Sequence, residues 1–311
     1  MSVASLGLVV SAIDANDMRF LLQNAINALS YGSLYALFAL GIALIFGIMQ
    51  LINFAHGELI MVGAYAIVLF DVLPSPLLLP LIFGIVVLFA LAMERIAFRP
   101  VRGAKPGTLL ITSFAVSYLL QNLATVIFGA LPRSTSFGTS LSQSVTIGSI
   151  SVSRYDIVTV VVTFALLALL GAFLARTRIG VEMRAAAEDF SMARVLGVKA
   201  NVVIAAAFAI SGVLAATASV LLVIQTGSVN PTMGSTPVLV AFVATVLGGI
   251  GSLRGAVLGG FLLGIVTVAL QAYLHLELRY YRDAFAYGAV IATLLVRPQG
   301  LIVAKTIITR V

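Results

Sequence analysis

Long apolar runs decide what this chain can become. The stretch ALFALGIALIFGIMQLI at 36–52 is followed, after NFAHGE, by LIMVGAYAIVLF at 59–70. Several runs reach the ~20 apolar residues needed to cross a bilayer core of ~30 Å. Of 311 residues, 61% are hydrophobic and 9% charged, and the mean hydropathy is +1.16. Soluble domains carry roughly 25% charged residues, so a water-soluble fold of this size would lack the charges to cover its surface. The runs are continuous rather than alternating, which excludes a transmembrane β-barrel. The expected fold is all-α, a polytopic transmembrane helical bundle.

Nine candidate spans follow from the breakers. They lie at about 20–49, 58–70, 77–97, 108–130, 157–175, 202–224, 237–250, 256–274 and 284–296. The second and seventh, at 13 and 14 residues, are short enough to be half helices, so broken or half helices are expected and the count is eight to nine. Residues 1–19 hold a short apolar stretch with no basic region before it. They read as a peripheral, loosely ordered segment rather than a signal peptide, which leaves 20–311 as one transmembrane domain. In the Ser/Thr/Gly-rich segment 132–156, the alternation of SVTIGSISVS predicts a small hairpin outside the bilayer.

The net charge of +7 would suggest nucleic acid in a soluble protein. Here the basic residues gather in the loops instead. Alternating the spans puts Arg95, Arg99, Arg102, Lys105, Arg176, Arg178, Arg184, Arg194, Lys199, Arg254, Arg297, Lys305 and Arg310 on one side. Arg19, Arg133, Arg154, Arg279 and Arg282 fall on the other. By the positive-inside rule the first group, with the C-terminus and the loop 176–201, is cytoplasmic. There is no Cys, which excludes disulfides, thiolate metal sites and thiol catalysis. Two His residues do not make a tetrahedral zinc site, and no G-x-S-x-G elbow is present, so no catalytic residues are assigned. His275 reads as interfacial.

The loop stretch VEMRAAAEDFSMARVLGV at 181–198 has apolar residues at helical spacing, which predicts one short amphipathic helix. Glu188 and Arg194 are not at i,i+4, so a self-neutralising ladder does not explain its charges. The small residues Ala185, Ala186, Ala187 and Ala193 permit close approach by a partner, and Gly197 stands where a helix would stop. Two readings fit: a helix shaped to be gripped by another protein, or one lying on lipid.

NFAHGE sets Asn53, His56 and Glu58 into an apolar run, where polar groups are costly and mark interior or water-lined positions. Asn53 and His56, at i,i+3, would share a helix face. A helix break near Gly57 would turn backbone groups, Asn53 and His56 toward a pathway. The structural alternatives are that His56 and Glu58 lie at the cytoplasmic interface, or that Asn53 and Glu58 cap and tie neighbouring helices. GGIGSLRGAVLGG at 248–260 has a similar shape and is a candidate second interruption in the other half. The run Gly248, Gly249, Gly251, Gly255, Gly259, Gly260 and Gly264 favours close helix packing. Gln225, Asn230 and Thr232 form an outward loop.

RAAAEDFSMARVLGV resembles the coupling-loop motif of bacterial ATP-binding-cassette importer permeases. Residues 32–65 and 243–265 resemble the signature and C-terminal Gly-rich regions of the LivH-type permeases for branched-chain amino acids. The resemblance implies a LivH-like subunit that pairs with a LivM-like permease, docks two cytoplasmic ATPases and receives solute from a periplasmic binding protein. Its expected setting is the bacterial inner membrane. Arg184, Ala185, Ala186, Ala187, Glu188, Asp189, Ala193 and Gly197 would then form the ATPase-coupling segment, and Asn53, His56, Gly57 and Glu58 a pathway or gate. No cofactor is expected in this chain. It lacks the G-x-x-x-x-G-K-[ST] phosphate loop, so ATP would be bound by partners. The branch also includes permeases for urea and short amides. An ion-driven carrier would instead need Glu58 or His56 as its ion site.

Overall fold

The computed structural model describes residues 3–147, 150–297 and 300–302. The helices are α1 Val3–Met49, α2 His56–Leu69, α3 Ser75–Met93, α4 Pro106–Phe128, α5 Arg154–Arg176, α6 Arg178–Glu188, α7 Phe190–Val195, α8 Ala200–Thr226, α9 Ser235–Gly248, α10 Leu253–Tyr273 and α11 Arg282–Val296. The strands are β1 Arg133–Ser134, β2 Ser144–Ile147, β3 Ile150–Ser153 and β4 Ser228–Val229. Among the described residues, six helical stretches are long and apolar enough to cross a membrane, while α2 and α9 are shorter.

The helix ends follow local chemistry. Proline stands in the first turns of α3 and α4, where its missing N–H has no helical partner to lose. The side chains of Ser153, Thr177, Asp189 and Ser252 cap the N-termini of α5, α6, α7 and α10. The last turns of α3 widen into a π-helical stretch, Glu94–Phe98, then tighten into a 3₁₀ turn, Arg99–Val101. Pro100, which has no N–H to donate, sits in that turn. α1 is helical from Val3 onward.

The bundle is built around α1 and α8, while α4 and α5 present most of their surface outward. Lipid gives helices no hydrophobic reason to associate, so small residues that let backbones approach carry the packing. The Gly-rich run does this. A Cβ on Gly260 would meet the backbone of Ala36, one on Gly264 that of Gly32, and one on Gly259 that of Ala244. Thus α10 lies antiparallel along α1 with α9 beside it. Gly248 and Gly255 press against each other across the α9–α10 turn, where Gly251 has φ +88°.

One end of the bundle gathers the C-terminus of α1, the 99–105 loop, α6, α7 and the start of α8 around a common hollow. It is called the basic end below. At the other end, β2 and β3 form the expected hairpin, with Ser144 opposite Ser153 and Val145 opposite Val152. There β1 pairs with β4, linking the α4–α5 and α8–α9 connections. The basic tail, with Lys305 and Arg310, lies outside the described residues, and with it the expected side of the C-terminus.

The proposed echo between NFAHGE and GGIGSLRGAVLGG takes a different form. The second segment leads into α10, an unbroken helix of 21 residues. The partner of NFAHGE is VNPTMGST at 229–236, which leads into the short α9. Gly57 at the start of α2 and Gly234 at the start of α9 are in backbone contact.

Candidate functional site

Two places carry the chemistry: a polar junction inside the bundle and an exposed segment at its basic end.

The junction begins where α1 stops at Met49. Gln50 has φ +52°, and residues 51–53 form no helix. Asn53 therefore does not share a helix face with His56. Its carboxamide oxygen accepts the N–H of Ala55 at 3.1 Å, a turn that starts α2 at His56. The break falls at 50–55, ahead of Gly57. Gly57 lies in the first turn of α2, and a side chain there would strike the carbonyl of Gly234.

Asn53, His56 and Glu58 are all buried, with at most 1% of their surface exposed. The imidazole Nδ1 of His56 lies 3.0 Å from Ser211 Oγ on α8. Ser211 also donates to the carbonyl of Gly41 on α1, at 3.3 Å. The other edge of the ring fills the space a side chain at Gly41 would need. Counting 1.5 Å per residue along α8, Ser211 sits ~16 Å from one end and ~22 Å from the other. His56 is thus deep in the bundle, and Glu58 is buried as well. The hydrogen bonds of Asn53 and Glu58 have the form of the alternative in which these two cap and tie helices.

The ties from Glu58 run to α4. Its Oε1 accepts from Ser117 Oγ at 2.8 Å and from Gln121 Nε2 at 2.7 Å. Gln121 Nε2 also reaches Ser235 Oγ in the first turn of α9, at 3.2 Å. Ser113 donates to the carbonyl of Ile52 at 3.2 Å. Ser113, Ser117 and Gln121 stand at i, i+4 and i+8, one polar stripe along the helix. This spacing was readable in the sequence, and sequence reasoning passed over it. Ser211, Ser235, Gly41 and Gly234 gave no local signal.

At the basic end, the expected single helix is two. The backbone at Asp189 is extended, with φ −148° and ψ 102°, and it separates α6 from α7. The Asp189 carboxylate accepts the N–H of Met192 at 2.9 Å, so it caps α7 in place of extending α6. Gly197, at φ +91°, follows the end of α7, the stop its position predicts. Ala186 and Ala193 face the bundle and are buried. Ala185 and Ala187 are half-buried, while Arg184, Glu188, Asp189 and Gly197 are exposed. Met192, Val195 and Leu196 are exposed as well.

This segment walls an open hollow of about 870 Å³, lined also by Gln50, Arg102 and Lys199. Beneath it Glu94, buried at the end of α3, pairs with Arg102. Arg102 in turn donates to Asn201 near the start of α8 at 2.7 Å. Burial lowers the pKa of Arg102 from its ordinary value, and the pairing with Glu94 offsets part of that cost. Glu94 was not singled out from the sequence. His275 is exposed and precedes a 3₁₀ turn, Leu276–Tyr281. Asn230 folds its side chain back onto Thr232 at 3.0–3.1 Å.

A family profile described as branched-chain amino acid transport system / permease component matches residues 24–295. The chain is 39% identical over 300 residues to the high-affinity branched-chain amino acid transport system permease protein BraD of Pseudomonas aeruginosa, covering 90% of this chain and 95% of that one. It is 36% identical to the permease protein LivH of Escherichia coli K12, over 93% of this chain and 97% of that one. A shorter likeness, 36% over 138 residues, joins it to the autoinducer 2 import system permease protein LsrC of Klebsiella pneumoniae. No solved structure matches.

Proposed function

Because this chain belongs to the family of branched-chain amino acid transport permeases, we propose that it is the permease subunit of an ATP-binding-cassette importer for branched-chain or other hydrophobic amino acids. The observation that carries this is the match over nearly the whole chain to permeases of that one solute class. The protein performs no covalent chemistry in this reading. It forms a membrane pathway that opens alternately to either side, driven by ATPases bound to it.

The drive enters at α6 and α7. In favour of this, Arg184, Glu188 and Asp189 stand exposed and form no ion pair among the described residues. An apolar edge of Met192, Val195 and Leu196 lies beside them. Such a surface suits a protein groove better than anionic lipid, which would meet its acidic residues unfavourably. The buried Ala186 and Ala193 couple any push on the segment to the bundle. The basic end is then cytoplasmic, the membrane is a bacterial inner membrane, and the chain has eight or nine spans, the short α2 and α9 counted among them. Residues 1–19 form a peripheral segment ahead of the permease domain. A second, LivM-like permease completes the core, two ATPases dock below, and a periplasmic binding protein delivers solute. Asn53, His56, Gly57 and Glu58 belong to the pathway or its gate.

Co-purification tests the docking. The ATPase subunits should come through affinity purification with the wild-type permease pair. They should be lost from the Arg184→Ala, Glu188→Ala double variant while that variant keeps its thermal stability. ATPases that bind the double variant as they bind wild type would refute the docking surface.

A further inference from the structure

We propose that the seam between α4 and the first turns of α2 and α9 holds the transported amino acid, with Glu58 as the counter-charge for its ammonium group and Gln121 as the amide that yields to it. The proposal rests on the permease reading and deepens it.

Glu58 is a fully buried carboxylate without a cation. The ion pairs among the described residues join Arg102 to Glu94, Arg178 to Glu182 and Arg282 to Asp283. One oxygen of Glu58 takes the hydrogen bonds from Ser117 and Gln121. The other, Oε2, is buried and has no partner. A buried polar atom left unpaired is costly, and a buried charge more so. An arriving ammonium donates up to three hydrogen bonds and brings the missing charge.

An apolar surface adjoins this seam, from the break ahead of α2, from α4 and from the middle of α9. The Phe54 ring stacks on Phe114 of α4 at 4.2 Å between centroids and lies 5.6 Å from Phe242 of α9. Phe114 and Gln121 are seven residues apart on α4, as are Ser235 and Phe242 on α9. The seam therefore has a polar rung, Glu58–Gln121–Ser235, and two helical turns away an aromatic rung, Phe54–Phe114–Phe242. A carboxylate followed by aromatic rings matches a solute that carries an ammonium and a branched hydrocarbon.

The seam is also built to part. On this face α4 is held by the hydrogen bonds of Ser113, Ser117 and Gln121 and, toward its two ends, by the stacked pairs Phe54–Phe114 and Tyr65–Phe128. A solute or water can replace those bonds one for one, whereas interlocked apolar side chains offer no such exchange.

The test uses the complete transporter in proteoliposomes with labelled leucine. Glu58→Gln keeps an acceptor for Ser117 and Gln121, removes the charge and puts an amide donor in place of the second oxygen. The expected result is a fall in uptake of at least tenfold, with thermal stability and bound ATPases retained. Wild-type uptake in this variant would overturn the proposal while leaving the permease reading intact. Absence of ATP-driven leucine uptake in the wild type would remove both.

Should Glu58→Gln fail to fold, Ser117→Cys serves instead. The chain has no cysteine of its own, so labelling of this chain by a charged, water-soluble methanethiosulfonate reagent, read on its separated band, reports on this position alone. Labelling should occur during ATP turnover and be slowed by leucine. No labelling during turnover, or labelling indifferent to leucine, would overturn the proposal.

Discussion

At the scale of single residues, close packing and buried charge make separate predictions. A side chain at Gly264 would meet the backbone of Gly32, whereas one at Gly84 would meet nothing within 4 Å. Gly264→Val should therefore cost about 1–3 kcal/mol, the usual range for overpacking, and lower the unfolding midpoint in detergent. Gly84→Ala should not lower it. The Glu94–Arg102 pair makes the second prediction. Glu94→Gln leaves Arg102 partly buried without its counter-charge and should cost about 2–3 kcal/mol, somewhat under the range for fully buried pairs because Arg102 keeps some exposure. Replacing both by methionine should restore most of that loss, and a double-mutant cycle on thermal unfolding measures it.

The sequence marked Asn53, His56 and Glu58 because polar groups in an apolar run stand out. It did not mark Ser211 or Ser235. Hydroxyls are common in membrane helices, and these two act only through partners more than a hundred residues away. Glu94 escaped notice for another reason: it lies at the edge of a basic loop, where a charge looks ordinary.

At the scale of elements, the boundary inside the basic-end segment is the informative case. Asp is a poor residue within a helix and a strong one at its N-cap. Asp189 takes the second role and splits the expected helix in two. Asp189→Ala should cost roughly 1 kcal/mol of local stability and speed hydrogen exchange at the α7 amides. Asp189→Ser should keep the slow exchange, and equal exchange in both variants would show that the cap does not hold α7. Apart from the start of α1, the breakers located these helices to within a few residues, since Pro, Gly and charge clusters act locally. Local pattern did not reveal which interruption meets which. The Gly57–Gly234 contact depends on how α2 and α9 are carried into the bundle by α1 and α8.

At the scale of the whole molecule, composition was enough to fix a helical membrane bundle, because charge content and run length act through the solvent rather than through any one contact. It could not rank the helices by burial. Periodicity is weak where lipid and core are equally apolar, so α1 and α8 at the centre and α4 at the rim look alike as strings. The central claim is that this bundle moves branched-chain amino acids at the expense of ATP bound by its partners. The most direct measurement is uptake of labelled leucine into proteoliposomes containing the chain, its partner permease, ATPases and binding protein. The account predicts uptake that requires ATP and hydrolysable nucleotide at the ATPase side, and that ignores imposed proton or sodium gradients. Uptake that proceeds without ATP and follows an ion gradient would contradict it.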